Sequence, residues 1–159
     1  MRKISRLFFS GTLFRHEDNI YNIIRDRRNF YEKLISKNKI YNPGHLPHDV
    51  FMRELASSKY CLDLLGVGDP NIRTFEILSV GSLRIGQRSQ LKWPFPNEFC
   101  EETIFDNEND LFEKIKNLES SPELYSRCLQ RQNDIVDKYM NPIYLKRYIL
   151  ETIESFIAG

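Results

Sequence analysis

A chain of 159 residues has room for one domain with a real core, and 41% apolar with 28% charged residues is the composition of a folded globular protein rather than a disordered one. Twenty-three basic residues against 22 acidic ones leave a formal net charge of +1, which gives no electrostatic reason to expect a nucleic-acid or membrane-surface partner. No window approaches the roughly 20 apolar residues of a membrane span.

The start, MRKISRLFF, is basic, but its apolar run is too short for a signal peptide. RLFFSGT (Arg6 to Thr12) reads as a short strand entering a turn at Gly11. A helix follows over about Glu17 to Ser36, with Ile20, Ile23, Ile24, Tyr31, Leu34 and Ile35 at helical spacing and the Arg25 to Arg28 run on its solvated side. Pro43, Gly44 and Pro47 make KNKIYNPGHLP a loop, with a weak strand at Lys39 to Tyr41. Asp49 to Ser57 fits a helix that turns Val50, Phe51 and Leu55 inward, and Lys59 to Gly66 a strand buried on both faces.

A glycine-containing loop leads to the helix that holds Ile72 to Val80, with Pro70 near its first turn and Gly81 as its stop. Ser82 to Gly86 is the next strand, and the prolines of QRSQLKWPFP make that stretch irregular. EETIFDN ends in a strand, after which Asp106 or Asn107 caps a helix over Asp110 to Asn117. Helices over about Pro122 to Tyr139 and Pro142 to Ile157 close the chain. Strands alternating with helices predict an α/β fold: a Rossmann-like parallel sheet with helices on both faces, in one domain over residues 1–159 with a helical C-terminal tail over about 121–158. Ligands of such sheets bind beyond the carboxyl ends of the strands, here the loops after Ser10, Leu65 and Ile85.

Arg73 and Glu76 lie about 60° apart on a helical wheel, flanked by Ile72, Ile77 and Val80, with Phe75 and Leu78 opposite. No broad polar face accommodates them, so they form a charged pair at the margin of a mostly buried helix. Two readings fit: an i,i+3 ion pair, or a pair facing a ligand. Gly66 and Gly68 permit close backbone approach, and the helix N-terminus offers N–H groups to an anion. Arg73 adds a fork suited to phosphate oxygens, and Glu76, one turn deeper, an acceptor for ribose hydroxyls. Diphosphate and ribose together describe a nucleotide sugar.

SKYCLDLLGVGDPNIRTFEILSVGSLRIG resembles the donor-binding segment of GT-B glycosyltransferases. It is most similar to glycosyltransferase family 90, the family of protein O-glucosyltransferases and capsule xylosyltransferases, with exostosin-like enzymes next. The shared pattern is Ser58-Lys59-Tyr60, an apolar strand, Gly66 and Gly68, Arg73, then Gly81-Ser82 before a strand. FFSGTLF, ETIFDNENDLFEKIKNL and LYSRCLQRQNDIVDKYM resemble further elements of those enzymes, so the similarity spans nearly the whole chain.

The resemblance implies one half of a GT-B fold that binds a UDP-sugar, without a metal or other cofactor, for transfer of a hexose or pentose to a hydroxyl acceptor. The alternative is a non-catalytic nucleotide-sugar-binding or docking module, half of a split or truncated transferase. Arg73 matches the arginine at the donor diphosphate, Glu76 the glutamate at the ribose, and Gly11 and Thr12 a turn facing the phosphates. Asp69-Pro70-Asn71 stands where family 90 enzymes usually carry a serine before the arginine, a departure that removes one phosphate hydroxyl; Gly68 and Asn71 of the same turn are assigned to the donor. Gly68 also replaces the first of two glutamates common in retaining GT-B enzymes. The acceptor half usually supplies the catalytic base, so none is assigned. The amphipathic last helix, with Ile143, Leu145, Tyr148, Ile149, Ile153 and Phe156, suits packing across such a partner.

The remaining candidates carry less. His45 and His48 in HLPH lack nearby carboxylates and, with Pro47 between them, a shared helical face, so no metal site is assigned there. Cys61, Cys100 and Cys128 are odd in number and without metal-ligand spacing, as for reduced thiols in the cytoplasm. Asp63 sits in an apolar strand and, if buried, must find a partner; a structural hydrogen bond is the expectation.

Overall fold

The computed structural model describes residues 3–10, 29–30, 32–34, 40–64, 72–89 and 99–157. Within them lie β1 (Ile4–Phe8), α1 (His48–Ser57), β2 (Ser58–Asp63), α2 (Ile72–Ser79), β3 (Leu83–Gln87) and a 3₁₀ turn at Glu101–Thr103. These are followed by β4 (Ile104–Phe105), α3 (Glu108–Ser120), α4 (Pro122–Tyr139) and α5 (Pro142–Ile157). The four strands form a parallel sheet in the order β1-β2-β3-β4. Tyr41 adds a parallel bridge to Phe8 on the far side of β1, accepting from Phe9 N–H at 3.2 Å and donating to Leu7 O at 2.8 Å. Counting that bridge, the chain first steps outward from β1 and then returns to lay down β2 on its other side. The crevice beyond the carboxyl ends of β1 and β2 is therefore a topological switch point.

Alternation along the strands sends side chains to both faces. Phe8 and Cys61 join Phe51, Leu55 and Ile77 from α1 and α2. Leu7, Phe9, Tyr60, Leu62 and Ile85 point the other way and pack with Leu111, Leu118 and Cys128 from α3 and α4. A sheet covered on both faces explains why β2 is buried along nearly its whole length. The α/β, Rossmann-like class is thus as expected.

Local signals explain most boundaries. Gly81 takes φ 63° after α2, the left-handed conformation that glycine adopts without a Cβ penalty. Asn107 Oδ1 accepts from Asp110 N–H at 3.1 Å to start α3, and Ser121 Oγ accepts from Leu124 N–H at 3.2 Å to start α4. β1 departs from expectation by ending at Phe8, because Ser10 turns out to donate its hydroxyl to Gly44 O at 2.9 Å. β2 likewise ends at Asp63. The helix expected over Glu17 to Ser36 lies mainly outside the described residues; residues 29–30 and 32–34 are helical, with Leu34 buried.

β4 pairs with β3 only at Gly86↔Ile104 and Gln87↔Phe105. Nearer the start of β3, the side-chain amide of Gln132 on α4 takes the place of a neighbouring strand. It accepts from Arg84 N–H at 2.9 Å and donates to Ser82 O at 2.7 Å. α5 joins the rest through Tyr144, whose ring meets Tyr139 edge-on at 5.1 Å. Its apolar residues Ile143, Ile149, Ile153 and Phe156 are exposed.

Candidate functional site

At the switch point lies a cleft of about 580 Å³, within the range of roughly 300–1,000 Å³ usual for small-molecule sites. Ser10 reaches it from the end of β1, the His45-to-His48 stretch and Phe51 from α1 and its approach, and Arg73 and Glu76 from α2. Arg73 Nε is 3.6 Å from Glu76 Oε2, and the guanidinium carbon is 4.1 Å above the Phe51 ring. Glu76 Oε1 is 4.0 Å from His48 Nδ1. Glu76 Oε2 is buried and accepts no hydrogen bond from the described residues.

The two readings of Arg73 and Glu76 thus coexist, since the side chains pair along the helix and also line the cleft. Their position at the margin of α2 agrees with the wheel, but the burial around them differs from expectation. Thr74, Ile77 and Leu78 are buried, whereas Ile72 and Phe75 are exposed. α2 packs one side on the sheet and leaves the side holding Phe75 uncovered. Gly11, Thr12, Gly68 and Asn71 lie outside the described residues.

One interior polar contact ties α2 to the sheet, through Thr74. Asp63, at the end of β2, accepts through one oxygen, Oδ2, from Arg84 Nε at 2.6 Å and from Thr74 Oγ1 at 2.7 Å. The expected structural bond of Asp63 is present, and Arg84 is the partner that sequence reading missed. Thr74 sits between Arg73 and the turn that holds Glu76, so the buried carboxylate sets how α2 presents its cleft-facing pair. Gly86, beside Asp63 in the β2–β3 register, leaves the volume occupied by the Arg84 guanidinium.

The cleft offers groups that suit an anion and hydroxyls: a guanidinium over an aromatic ring, a carboxylate one turn deeper, and the start of α2 nearby. Behind it, burial pushes the Cys61 thiol up to about 12, and it donates to Leu55 O at 3.8 Å, so it is protonated at neutral pH and offers no nucleophile. His45 and His48 also line the cleft; the expected weak strand survives as the Tyr41 bridge, and the left-handed turn at Gly44 then brings both histidines to the cleft. Among the described residues, the cleft brings no three ligating side chains within reach of one cation.

A family profile described as "Glycosyl transferase-like" matches residues 12–149. A solved structure, T4 phage BGT in complex with UDP and Mn2+, matches with a TM-score of 0.61 at 13% identity, over 87% of this chain and 44% of that one. This chain therefore spans less than half the length of that structural neighbour. At such identity the likeness establishes the fold, one Rossmann-like half of a GT-B architecture. No curated protein matches. Among the described residues, no helix is long and apolar enough to cross a membrane.

Proposed function

Because the chain belongs to the glycosyl transferase-like family, we propose that it is the donor-binding half of a glycosyltransferase and that the switch-point cleft holds a UDP-sugar. The observation that carries this reading is the convergence of Arg73 and Glu76 on the cleft beyond β1 and β2. Arg73 binds the diphosphate and, with the N-terminus of α2, neutralises the charge that develops on the leaving group. Glu76 Oε2 accepts from a ribose hydroxyl. Gly11, Thr12, Gly68 and Asn71 supply backbone and side-chain contacts to the same donor.

UDP in the T4 phage neighbour and the family 90 resemblance both support the choice of nucleotide. The proposed transfer of a hexose or pentose to a hydroxyl acceptor proceeds without a metal, in the cytoplasm. Calorimetric titration of the folded chain with UDP and a panel of UDP-sugars tests the proposal; no heat from any of them overturns it.

A second reading has its own support in α5. Ile143 is 83% exposed and Phe156 89%, an apolar surface suited to an acceptor-binding domain or chain. In that reading this chain holds the nucleotide sugar and a partner completes the enzyme. Donor binding without hydrolysis or transfer by the isolated chain, and activity on adding the partner, distinguishes it.

A further inference from the structure

Cys100, Glu102 and Cys128 are far apart in sequence terms from any metal motif, yet the fold gathers them. The two sulfurs and a carboxylate oxygen all lie within 4.8 Å of one another. For any three atoms so spaced, some point lies within 4.8/√3, about 2.8 Å, of all of them. Zinc–sulfur bonds are about 2.3 Å and zinc–carboxylate bonds about 2.0–2.2 Å, so closure by at most about 0.5–0.8 Å per donor completes coordination.

The framework around the three is built rather than incidental. Cys100 precedes one 3₁₀ turn and Glu102 lies at its centre; in it Thr103 donates to Cys100 O from its N–H at 2.9 Å and from its hydroxyl at 2.8 Å. Lys114 on α3 ties that turn down by donating to Glu101 O at 3.1 Å. Cys128 comes from α4, buried in the main core cluster. Arg127 Nη2 donates to Glu102 Oε1 at 2.9 Å, which orients the carboxylate from outside the ligand set. Two thiolates, a carboxylate, a divalent cation and that guanidinium sum to zero formal charge. Cys128 is buried while Cys100 and Glu102 are half-buried, so the three donors sit at the boundary between core and solvent.

We propose that Cys100, Glu102 and Cys128 form a binding site for a thiophilic divalent cation of the zinc class. Thiolate donors select such ions over magnesium or calcium. The two thiol protons pass to solvent on binding. The site draws on the 3₁₀ turn and α4, neither of which lines the cleft, so it is independent of the donor-binding reading.

The reduced, metal-stripped full chain, without nucleotide, is titrated with Zn2+ against a chromophoric chelator and with Co2+ as a spectroscopic probe. One equivalent should bind, with thiolate-to-cobalt charge-transfer absorption. Cys100→Ser and Glu102→Gln, both at half-buried positions, should each weaken zinc binding by about tenfold or more with unchanged circular dichroism, while Cys61→Ala retains it. Three results overturn the proposal: no stoichiometric binding by the wild-type chain, affinity unchanged in both ligand variants, or a Cys100–Cys128 disulfide formed in place of the metal complex under the titration conditions.

Discussion

Arg84 donates to Asp63 Oδ2 at 2.6 Å in the interior, and Thr74 donates to that same oxygen. One buried carboxylate thus joins β2, β3 and α2. A buried pair is rarely a net gain over well-packed apolar groups, but removing one partner leaves an uncompensated charge. Asp63→Ala should cost about 3–5 kcal/mol in urea unfolding. Asp63→Leu combined with Arg84→Met should recover most of that loss, while still weakening UDP binding because Thr74 has lost its anchor.

Arg73→Ala should lower UDP affinity by at least about tenfold, or roughly 1.4 kcal/mol. Arg73→Lys should restore only part, since an ammonium lacks the planar fork. Glu76→Gln should weaken UDP yet leave a nucleotide without ribose hydroxyls nearly unaffected. Equal losses for both nucleotides would show that Glu76 acts through Arg73 alone. Calorimetry reads all three.

Gly86→Ala places a Cβ inside the space held by the Arg84 guanidinium. The ion pair must shift or the strands separate, at a cost of about 1–3 kcal/mol. Thermal unfolding of Gly86→Ala in the wild-type background and in the Asp63→Leu/Arg84→Met background measures it: the substitution should cost less where the guanidinium is gone.

Cys61 makes stability fall in alkali. Burial raises its thiol from 9.0 to about 12, so between those values the unfolded chain releases a proton that the folded chain retains. Stability from this group is full below the lower value and drops by at most about 1.4 kcal/mol per pH unit above it. Urea unfolding of wild type and Cys61→Val across that window should show the steeper decline in wild type.

UDP affinity should change less than about twofold between Mn2+ and a chelator; a tenfold gain with Mn2+ would instead mean that a cation bridges the diphosphate.

Much of this was readable before the fold. α4 and α5 carry their starts in Pro122 and Pro142 and their faces in 3.6-residue spacing, and Arg73 and Glu76 announced themselves as charges without a polar face. What stayed hidden depends on separation along the chain. Gln132 reaches Ser82 across 50 positions, Arg84 meets Asp63 across 21, and Cys128 meets Cys100 only because α4 packs beside the 3₁₀ turn. Periodicity also says which residues share a face, not which face is covered; exposed Ile72 and Phe75 are the result.

The Gln132 amide has a consequence for how the protein behaves in a crowded solution. A strand with free N–H and C=O groups along its side invites another chain to zip on, and natural sheets blunt such borders. With β4 only two residues long, the early part of β3 would be that invitation. Gln132 occupies its hydrogen-bonding groups and α4 stands in the way, so a Leu in place of Gln132 should convert a quiet border into a nucleus for aggregation.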